Sequence, residues 1–304
     1  MKAKKILKAA GLAVGTTAGV GLGQFYRYCF CRNPGPLAKV LDSKGHEEDY
    51  YHHRDTTAAQ LAQLDCQRFT RTNSRGIRLE GYYYQSGSQP SGKIAFIIHG
   101  YRSEHLETAG MYYEYYFSRG IDVFCCDHGA AGESGGSVIG YDVFESRDCL
   151  DWLEFLYEQF GREIQVLLHG FSMGGATVLS MSDRVGDQVK CIVSDSGYTS
   201  AAEILSGRVG ALATVMSGIN RVVAGYTLAD TDVREHVKHS RVPILFVHGK
   251  QDKTVPFSMG EELYALCPGE KDCLWIDNAR HVECMHCAKE AYEGKLDHLL
   301  RTCF

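Results

Sequence analysis

The strongest constraint on the fold of this chain comes from residues 170–175, Gly-Phe-Ser-Met-Gly-Gly. They follow an apolar run, Ile164–Leu168, that predicts a buried strand, and they precede Ala176–Leu179, which predicts the start of a buried helix. A serine flanked by glycines at a sharp strand-to-helix turn is the pattern of a nucleophile elbow. Glycines are needed there because side chains would collide across the turn. The segment therefore predicts an α/β sheet that presents the hydroxyl of Ser172 at its edge.

Size and charge limit the classes of protein to which the chain can belong. Its 304 residues, 44% of them hydrophobic, suffice for one large α/β domain. The net charge of −5 offers no basic stripe for phosphates, so we expect no nucleic acid as a partner. Twelve cysteines in a chain of this length are not a disulfide scaffold, and we interpret most of them as buried free thiols.

One group of residues has the spacing of half a zinc site. Cys284, His286 and Cys287 are close together in the sequence, but no second pair of ligands is evident elsewhere. A structural zinc ion requires about four protein ligands. We therefore expect no metal and no cofactor.

The first 30 residues differ from the rest of the chain. Four lysines among the first eight residues precede an uncharged run, Ala9–Gln24. This pattern predicts an N-terminal membrane anchor or signal-like segment over residues 1–30, followed by a connector over residues 31–65 that contains one helix near Thr56–Leu64. The run is short and rich in glycine, so a surface-docked helix is the alternative. The expected location is at a membrane, on either side of it, with the cytoplasm as the alternative.

Beyond residue 65, strand and helix patterns alternate. Cys66–Thr72 and Ile77–Tyr84 predict an antiparallel hairpin, because a turn-rich Asn-Ser-Arg-Gly segment joins them. Six further strand patterns, most of them separated by helical patterns, predict a mostly parallel sheet with helices on both faces. These strand patterns are Ile94–Ile98, Ile121–Cys126, Ile164–Leu168, Cys191–Val193, Ile244–Val247 and Cys273–Ile276. The helical patterns cover Glu104–Arg119, Val143–Phe160, Met173–Asp183 and Met259–Cys267.

One connection in this domain is unusually long. Between Val193 and Ile244 the chain has helical spacing over roughly residues 201–238, although a crossover needs only one helix. We expect the surplus to form a small helical cap, an insertion at about residues 198–240 within a single domain that spans residues 66–304.

Two downstream residues supply what a reactive serine requires. A serine hydroxyl needs a base to take its proton, and the base needs an acid to orient it. Asp252 follows the strand pattern that ends at Val247, and His281 follows the one that ends at Ile276. Ligand-binding residues gather at the carboxyl ends of such strands. The order along the chain, nucleophile then acid then histidine, predicts a triad of Ser172, Asp252 and His281.

Rival residues exist for two of these roles. Asp195, just after the preceding strand, is an alternative acid, and His248 and His286 are alternative bases. An oxyanion hole also needs two backbone N–H donors. We predict that Met173, next to the nucleophile, and Tyr101, in the His-Gly-Tyr loop after the first parallel strand, provide them.

Taken together, these motifs resemble the α/β-hydrolase superfamily, and in particular a bacterial, membrane-anchored branch grouped with serine aminopeptidase-like hydrolases. The resemblance covers about residues 66–304. Its motifs are His-Gly-Tyr at 99–101, Gly-Glu-Ser at 132–134, the elbow, Asp-Ser-Gly-Tyr-Thr-Ser at 195–200, His-Gly at 248–249, Asp252, Val-Pro at 255–256 and His281. It implies an α/β-hydrolase fold and hydrolysis through an acyl-enzyme without metal or cofactor.

The sequence departs from the family pattern in two places. The loop at residues 127–134 lacks the arginine and the histidine that the family usually has, and Arg280 stands where a glycine usually precedes the catalytic histidine. Neither change removes a catalytic atom. We expect a serine hydrolase that cleaves a small-molecule acyl ester, amide or thioester. The alternatives are a serine peptidase or acyltransferase with the same triad, and a non-catalytic membrane-tethered binding module.

Overall fold

The protein is described by a computed structural model that covers residues 19–41, residue 46 and residues 48–304. Its centre is one eight-stranded sheet with the strand order β1-β2-β4-β3-β5-β6-β7-β8. The strands are β1 Gln67–Thr72, β2 Arg78–Tyr84, β3 Lys93–Ile98, β4 Asp122–Asp127, β5 Gln165–Phe171, β6 Val189–Asp195, β7 Ile244–Gly249 and β8 Lys271–Ile276. The β1–β2 and β2–β4 pairs are antiparallel, and the other pairs are parallel. The predicted fold class is confirmed.

Helices cover both faces of this sheet. A helix over residues 19–30 (α1) is followed by α2 Ala38–Leu41, α3 Glu48–Leu61, α4 His105–Gly110, α5 Tyr113–Phe117, α6 Val143–Phe160 and α7 Met173–Met181. Within the predicted cap lie α8 Ala201–Val209, α9 Leu212–Val223, a 3₁₀ turn at Leu228–Thr231 and α10 Arg234–Lys238. The chain ends with α11 Phe257–Leu266, α12 Cys284–Cys287 and α13 Lys289–Cys303.

The sheet separates two hydrophobic cores, because successive strand residues point to opposite faces. On β3, Phe96 packs into one core with Trp152 of α6, and Ile97 packs into the other with Leu296 of α13. The strands are therefore buried on both sides, which explains why their sequences are continuous apolar runs.

The helix predicted over Glu104–Arg119 is divided into α4 and α5. The division lies where α4 crosses α3, since a Cβ atom on Gly110 would lie 2.8 Å from the backbone nitrogen of Ala58. Past this crossing, the chain turns and buries Tyr112, which is 3% exposed. Tertiary packing thus overrides a continuous helical pattern at this point.

Part of the predicted N-terminal segment packs on the domain. Tyr26 and Phe30 belong to the larger core, and the Tyr26 hydroxyl donates to Asn220 Oδ1 of α9 at 2.9 Å. Cys31 pairs with Val138 in an isolated bridge. Side chains from the end of the predicted segment 1–30 are therefore part of the core.

Residues 1–18, which carry the four lysines and much of the uncharged run of the predicted anchor, lie outside the described residues. Among the residues that are described, the structure contains no helix with the length and apolar character needed to cross a bilayer.

Candidate active site

The turn between β5 and α7 holds Ser172 in a strained backbone conformation, with φ +54° and ψ −114°. Two glycines make this turn possible. A Cβ atom on Gly170 would lie 2.1 Å from the carbonyl oxygen of Gly174, and one on Gly174 would lie 2.1 Å from that of Ile98. Positive φ at a non-glycine residue persists only where the surrounding structure enforces it. The packing of three chain segments thus sets the position of the serine hydroxyl.

The structure brings the three predicted triad residues together. His281 Nε2 lies 2.7 Å from Ser172 Oγ, and His281 Nδ1 lies 2.6 Å from Asp252 Oδ2. An ionised carboxylate only accepts hydrogen bonds, so Nδ1 carries the proton and Nε2 is left to accept the serine proton. This is the protonation pattern that a general base needs.

The loops that carry Asp252 and His281 are bound to each other. The Gln251 N–H donates to the Ala279 carbonyl at 3.0 Å, and a Cβ atom on Gly249 would lie 2.3 Å from that same oxygen. The glycine in the His-Gly motif after β7 therefore permits close contact between the two loops. The distance between the acid and the base is a consequence of this backbone packing.

Several donors stabilise the charge on Asp252. Its Oδ1 accepts the N–H groups of Thr254 and Val255, both at 2.8 Å. Burial alone would raise the pKa of Asp252, but the nearby His281 and hydrogen bonds from His248, His281 and the Val255 N–H outweigh it and hold the pKa well below its usual range. Asp252 is thus ionised at neutral pH and can stabilise an imidazolium ion.

The rival residues occupy other positions. Asp195 is fully buried, and its carboxylate accepts hydrogen bonds from Ser196 and Tyr292, both at 2.9 Å. His248 Nε2 lies 3.1 Å from the Val255 carbonyl and 3.4 Å from Asp252. His286 Nε2 lies 3.3 Å from Asp49. Of the three histidines considered, the one in contact with Ser172 is His281.

The two predicted oxyanion donors lie on chain segments that flank the nucleophile. Met173 begins α7, and Tyr101 follows Gly100, whose hypothetical Cβ atom would lie 3.2 Å from the Cβ of Ser172. The Tyr101 hydroxyl donates to the Cys29 carbonyl at 2.9 Å, and its ring lies 5.3 Å from that of Tyr141. The side chain of Tyr101 thus binds the end of α1.

A cavity of about 210 Å³ adjoins Ser172 and His281. Tyr50 and Arg54 of α3 line one side of it, and Met111 lines another. Among the described residues, no lining residue comes from the predicted cap at 198–240. The sequence gives no sign that α3 lines the cavity, because the helix is polar and only weakly amphipathic.

The departures from the family pattern have identifiable surroundings. In the loop at 127–134, Asp127 Oδ1 lies 3.0 Å from His105 Nδ1, and Asp127 Oδ2 accepts the Glu133 N–H at 2.8 Å. Arg32 donates to the Ser134 carbonyl at 2.5 Å. These bonds hold the loop without the usual arginine. The Arg280 N–H, just before His281, donates to Glu283 at 3.2 Å.

Within the described part of the chain, Cys284, His286 and Cys287 do not form a cluster of three ligand groups. Cys284 is buried, whereas His286 faces Asp49 on the surface. Among the described residues, the fold therefore does not bring the ligand atoms of these three side chains together with one another.

The sequence of the chain is similar to those of known proteins. Residues 89–221 match the family model described as serine aminopeptidase S33, and residues 164–282 match a serine hydrolase model, FSH1. YqkD of Bacillus subtilis is 23% identical over 91% of each chain. YfhR of Escherichia coli K12 is 26% identical over 70% of this chain and 72% of its own.

The fold also matches solved structures. The esterase Pf2001 of Pyrococcus furiosus superposes with a TM-score of 0.66 at 18% identity, over 80% of this chain and 95% of that one. A likeness at this level of identity concerns the fold, while the family models bear on the chemistry. Together they show a hydrolase with the α/β-hydrolase fold, whose sequence is similar to serine hydrolases over the matched residues.

Proposed function

We propose that this hydrolase cleaves an acyl ester through a covalent acyl-enzyme on Ser172. The observation that supports this most directly is the continuous contact from Ser172 Oγ to His281 Nε2 at 2.7 Å and from His281 Nδ1 to Asp252 at 2.6 Å. A strained serine that is hydrogen-bonded to an oriented base is the arrangement of an activated nucleophile. It argues against a non-catalytic binding module.

The reaction proceeds in two steps. Ser172 Oγ attacks the ester carbonyl while His281 Nε2 takes its proton, and Asp252 stabilises the resulting imidazolium. The N–H groups of Tyr101 and Met173 hydrogen-bond the oxyanion. His281 then gives the proton to the departing alcohol, and a water molecule activated by the same base releases the acid and frees Ser172.

Labelling with a fluorophosphonate probe tests the nucleophile. Ser172→Ala should abolish labelling and lower the rate of p-nitrophenyl butyrate hydrolysis by about 10⁴–10⁶-fold, since removal of a triad nucleophile has effects of this order. Ser206→Ala, at an exposed position on α8, is the matched control and should behave as wild type. Labelling that persists in folded Ser172→Ala would remove this serine from the mechanism.

The same panel distinguishes the remaining alternatives. Turnover of aminoacyl p-nitroanilides in preference to esters would favour a peptidase, and transfer of the acyl group to added alcohols in preference to water would favour an acyltransferase. None of the steps uses a metal, so activity should persist in EDTA. Loss of activity with the chelator and its restoration by zinc would contradict the mechanism.

We also propose that the N-terminus anchors the enzyme to a membrane. The support is the lysine-rich start and the uncharged run that follows it. Because Tyr26 and Phe30 are buried, the truncation that tests this should remove residues 2–18 and retain α1. That variant should be soluble and active, whereas the full-length protein should sediment with membranes and resist alkaline carbonate. Full-length protein in the soluble fraction would contradict the anchor.

A further inference from the structure

The cavity beside Ser172 has a wall that the sheet and the predicted cap do not supply. We propose that α3 and α4 form the binding site for the acyl group of the substrate, and that this group is uncharged and contains about six to eight carbon atoms. The inference rests on the proposed esterase function and extends it to the class of substrate.

The first argument is that α3 is held firmly in place. The helices α3 and α4 cross in backbone contact at Gly110 and Ala58. Arg54 Nη1 lies 3.4 Å from Glu107 across the same interface. Before α3, His46 Nδ1 lies 2.8 Å from Glu283, and its ring stacks on that of Tyr50 at 4.3 Å. A preformed wall of this kind binds ligand without a cost of ordering a loop.

The second argument is the position of the cavity relative to the reacting atoms. Much of its lining comes from the segment between residues 100 and 112, which begins at the predicted oxyanion loop. The acyl group stays bound to Ser172 next to that loop after the alcohol has left. The cavity is therefore placed to hold the part of the substrate that the acyl-enzyme retains.

The third argument is charge. Tyr50, Met111, Tyr112 and Phe171 give the cavity an aromatic and apolar lining. Two arginines line the cavity, and both are engaged within the protein. The guanidinium of Arg54 lies 2.7 Å from Asp55 and 3.4 Å from Glu107. That of Arg102 donates to the Tyr28 carbonyl and lies over the ring of Tyr101. Glu107 in turn accepts the Ser103 hydroxyl at 2.8 Å. An anionic acyl group would have to displace these interactions, which favours an uncharged group.

The fourth argument is volume. A cavity of 150 Å³ accommodates benzene, so a cavity of about 210 Å³ corresponds to about eight carbon atoms. Acetyl and butyryl groups would leave much of this space unfilled, while chains well beyond eight carbons would have to extend out of it. We therefore expect an optimum at intermediate length.

A series of p-nitrophenyl esters with acyl chains of two to twelve carbons tests the assignment. For the full-length wild type, kcat/KM should peak at about six to eight carbons. Hemiesters with a terminal carboxylate should be at least about tenfold poorer than neutral esters of the same length. For acetate esters of longer alcohols, kcat/KM should show no comparable optimum in the length of the alcohol. If kcat/KM depended on the length of the alcohol and not on that of the acyl chain, the proposal would be overturned.

Variants on the cavity wall should move this optimum in opposite directions. Tyr50→Ala enlarges the cavity and should move the peak by at least about two carbons towards longer chains. Thr108→Phe fills it and should move the peak to about two to four carbons, which keeps the test available if Tyr50→Ala does not fold. Two controls at exposed positions outside the lining, His52→Ala on α3 and Val222→Ala on α9, should leave the peak unchanged.

The outcomes separate the two proposals. An enzyme that hydrolyses esters with the same chain-length profile in wild type, Tyr50→Ala and Thr108→Phe would overturn the α3–α4 assignment and leave the esterase function standing. Folded wild-type protein that neither hydrolyses any ester nor labels with fluorophosphonate would overturn the esterase function, and the substrate assignment with it.

Discussion

The ends of two neighbouring strands, β6 and β7, each present a buried aspartate at the carboxyl edge of the sheet, and the two carboxylates have opposite surroundings. Asp252, in the loop after β7, faces His281 at 2.6 Å and accepts two backbone N–H groups. Asp195 is the last residue of β6, and among the described residues its carboxylate accepts hydrogen bonds from two hydroxyl groups, those of Ser196 and Tyr292. Burial alone does not make a carboxylate a triad acid, since the group must also reach the base.

Beyond Asp195, the hydrogen bonds of the described residues lead through a tyrosine hydroxyl to a buried histidine. The Tyr292 hydroxyl lies 2.9 Å from His169 Nε2, and His169 Nδ1 lies 2.7 Å from the Tyr116 hydroxyl. Burial lowers the pKa of His169 to about 3, so its ring is neutral. For Asp195, burial raises the pKa to about 6 and outweighs the hydrogen bonds from Ser196 and Tyr292.

The backbone of Asp195 nevertheless supports the site. Its carbonyl accepts the Ser172 N–H at 2.8 Å, and Ser196 Oγ accepts the Val282 N–H at 3.2 Å, next to His281. The end of β6 therefore supports the segments that carry Ser172 and His281, whereas the loop after β7 carries the proposed triad acid.

The largest expected effect concerns the acid itself. Asp252→Asn should lower kcat for ester hydrolysis by about 10⁴-fold, because an amide cannot hold the histidine in its productive tautomer or balance its charge. Asp195→Asn should lower kcat by less than about tenfold. Steady-state kinetics on variants shown to be folded by circular dichroism will measure both. If Asp195→Asn is the more damaging, the roles of the two aspartates must be exchanged.

A smaller effect concerns the pH dependence of stability. A folded-state pKa of about 6, above the unfolded value near 3.9, means that Asp195 makes the protein less stable as pH rises from about 4 to 6. The contribution amounts to at most about 3 kcal/mol. Urea unfolding across this range should show a smaller decline in Asp195→Asn than in wild type, because the raised pKa of Glu145, about 7, contributes a decline that the variant retains.

Asp252 should have the opposite influence on the same measurement. Its folded-state pKa is held below the unfolded value, so its contribution to stability is complete above about pH 4 and is lost as the pH falls further. In Asp252→Asn, the part of the acid-induced loss of stability that comes from Asp252 should disappear, so stability should fall less steeply on acidification than in wild type. An identical pH dependence of unfolding in the two asparagine variants would show that the two environments do not differ as described.

The smallest effect concerns the link between the two regions. Ser196→Ala removes the bond to Asp195 and leaves the Val282 N–H unpaired, which should lower the free energy of unfolding by about 1–3 kcal/mol. Because Val282 follows His281, kcat should also fall, by a few-fold. Ser194→Ala, whose hydroxyl donates to the Gly175 carbonyl, is the control and should lower stability without a comparable change in kcat. Equal kcat values in the two variants would remove Ser196 from the positioning of His281.

Much of the site could be predicted because it depends on local patterns. The two glycines around Ser172 are required by one turn, and Asp252 and His281 each follow a recognisable apolar strand. Parallel strands end at the same edge of a sheet, so these positions alone indicate that the three residues meet. The break between α4 and α5 was not predictable in this way, because it depends on contact with another helix at Gly110.

By itself, the sequence determined the sheet, its antiparallel start and the positions of Ser172, Asp252 and His281 at the strand ends, since periodicity and turn residues act over short stretches of chain. Only the tertiary structure decided that α3, rather than the predicted cap, walls the cavity beside Ser172, and that Tyr26 and Phe30 belong to the core. The surface of α3 is mostly polar, and its place depends on a backbone contact between Gly110 and Ala58, which are 52 residues apart by their numbers. A contact of this kind leaves no periodic pattern in the sequence, because it depends on the shapes of two surfaces that meet only after folding.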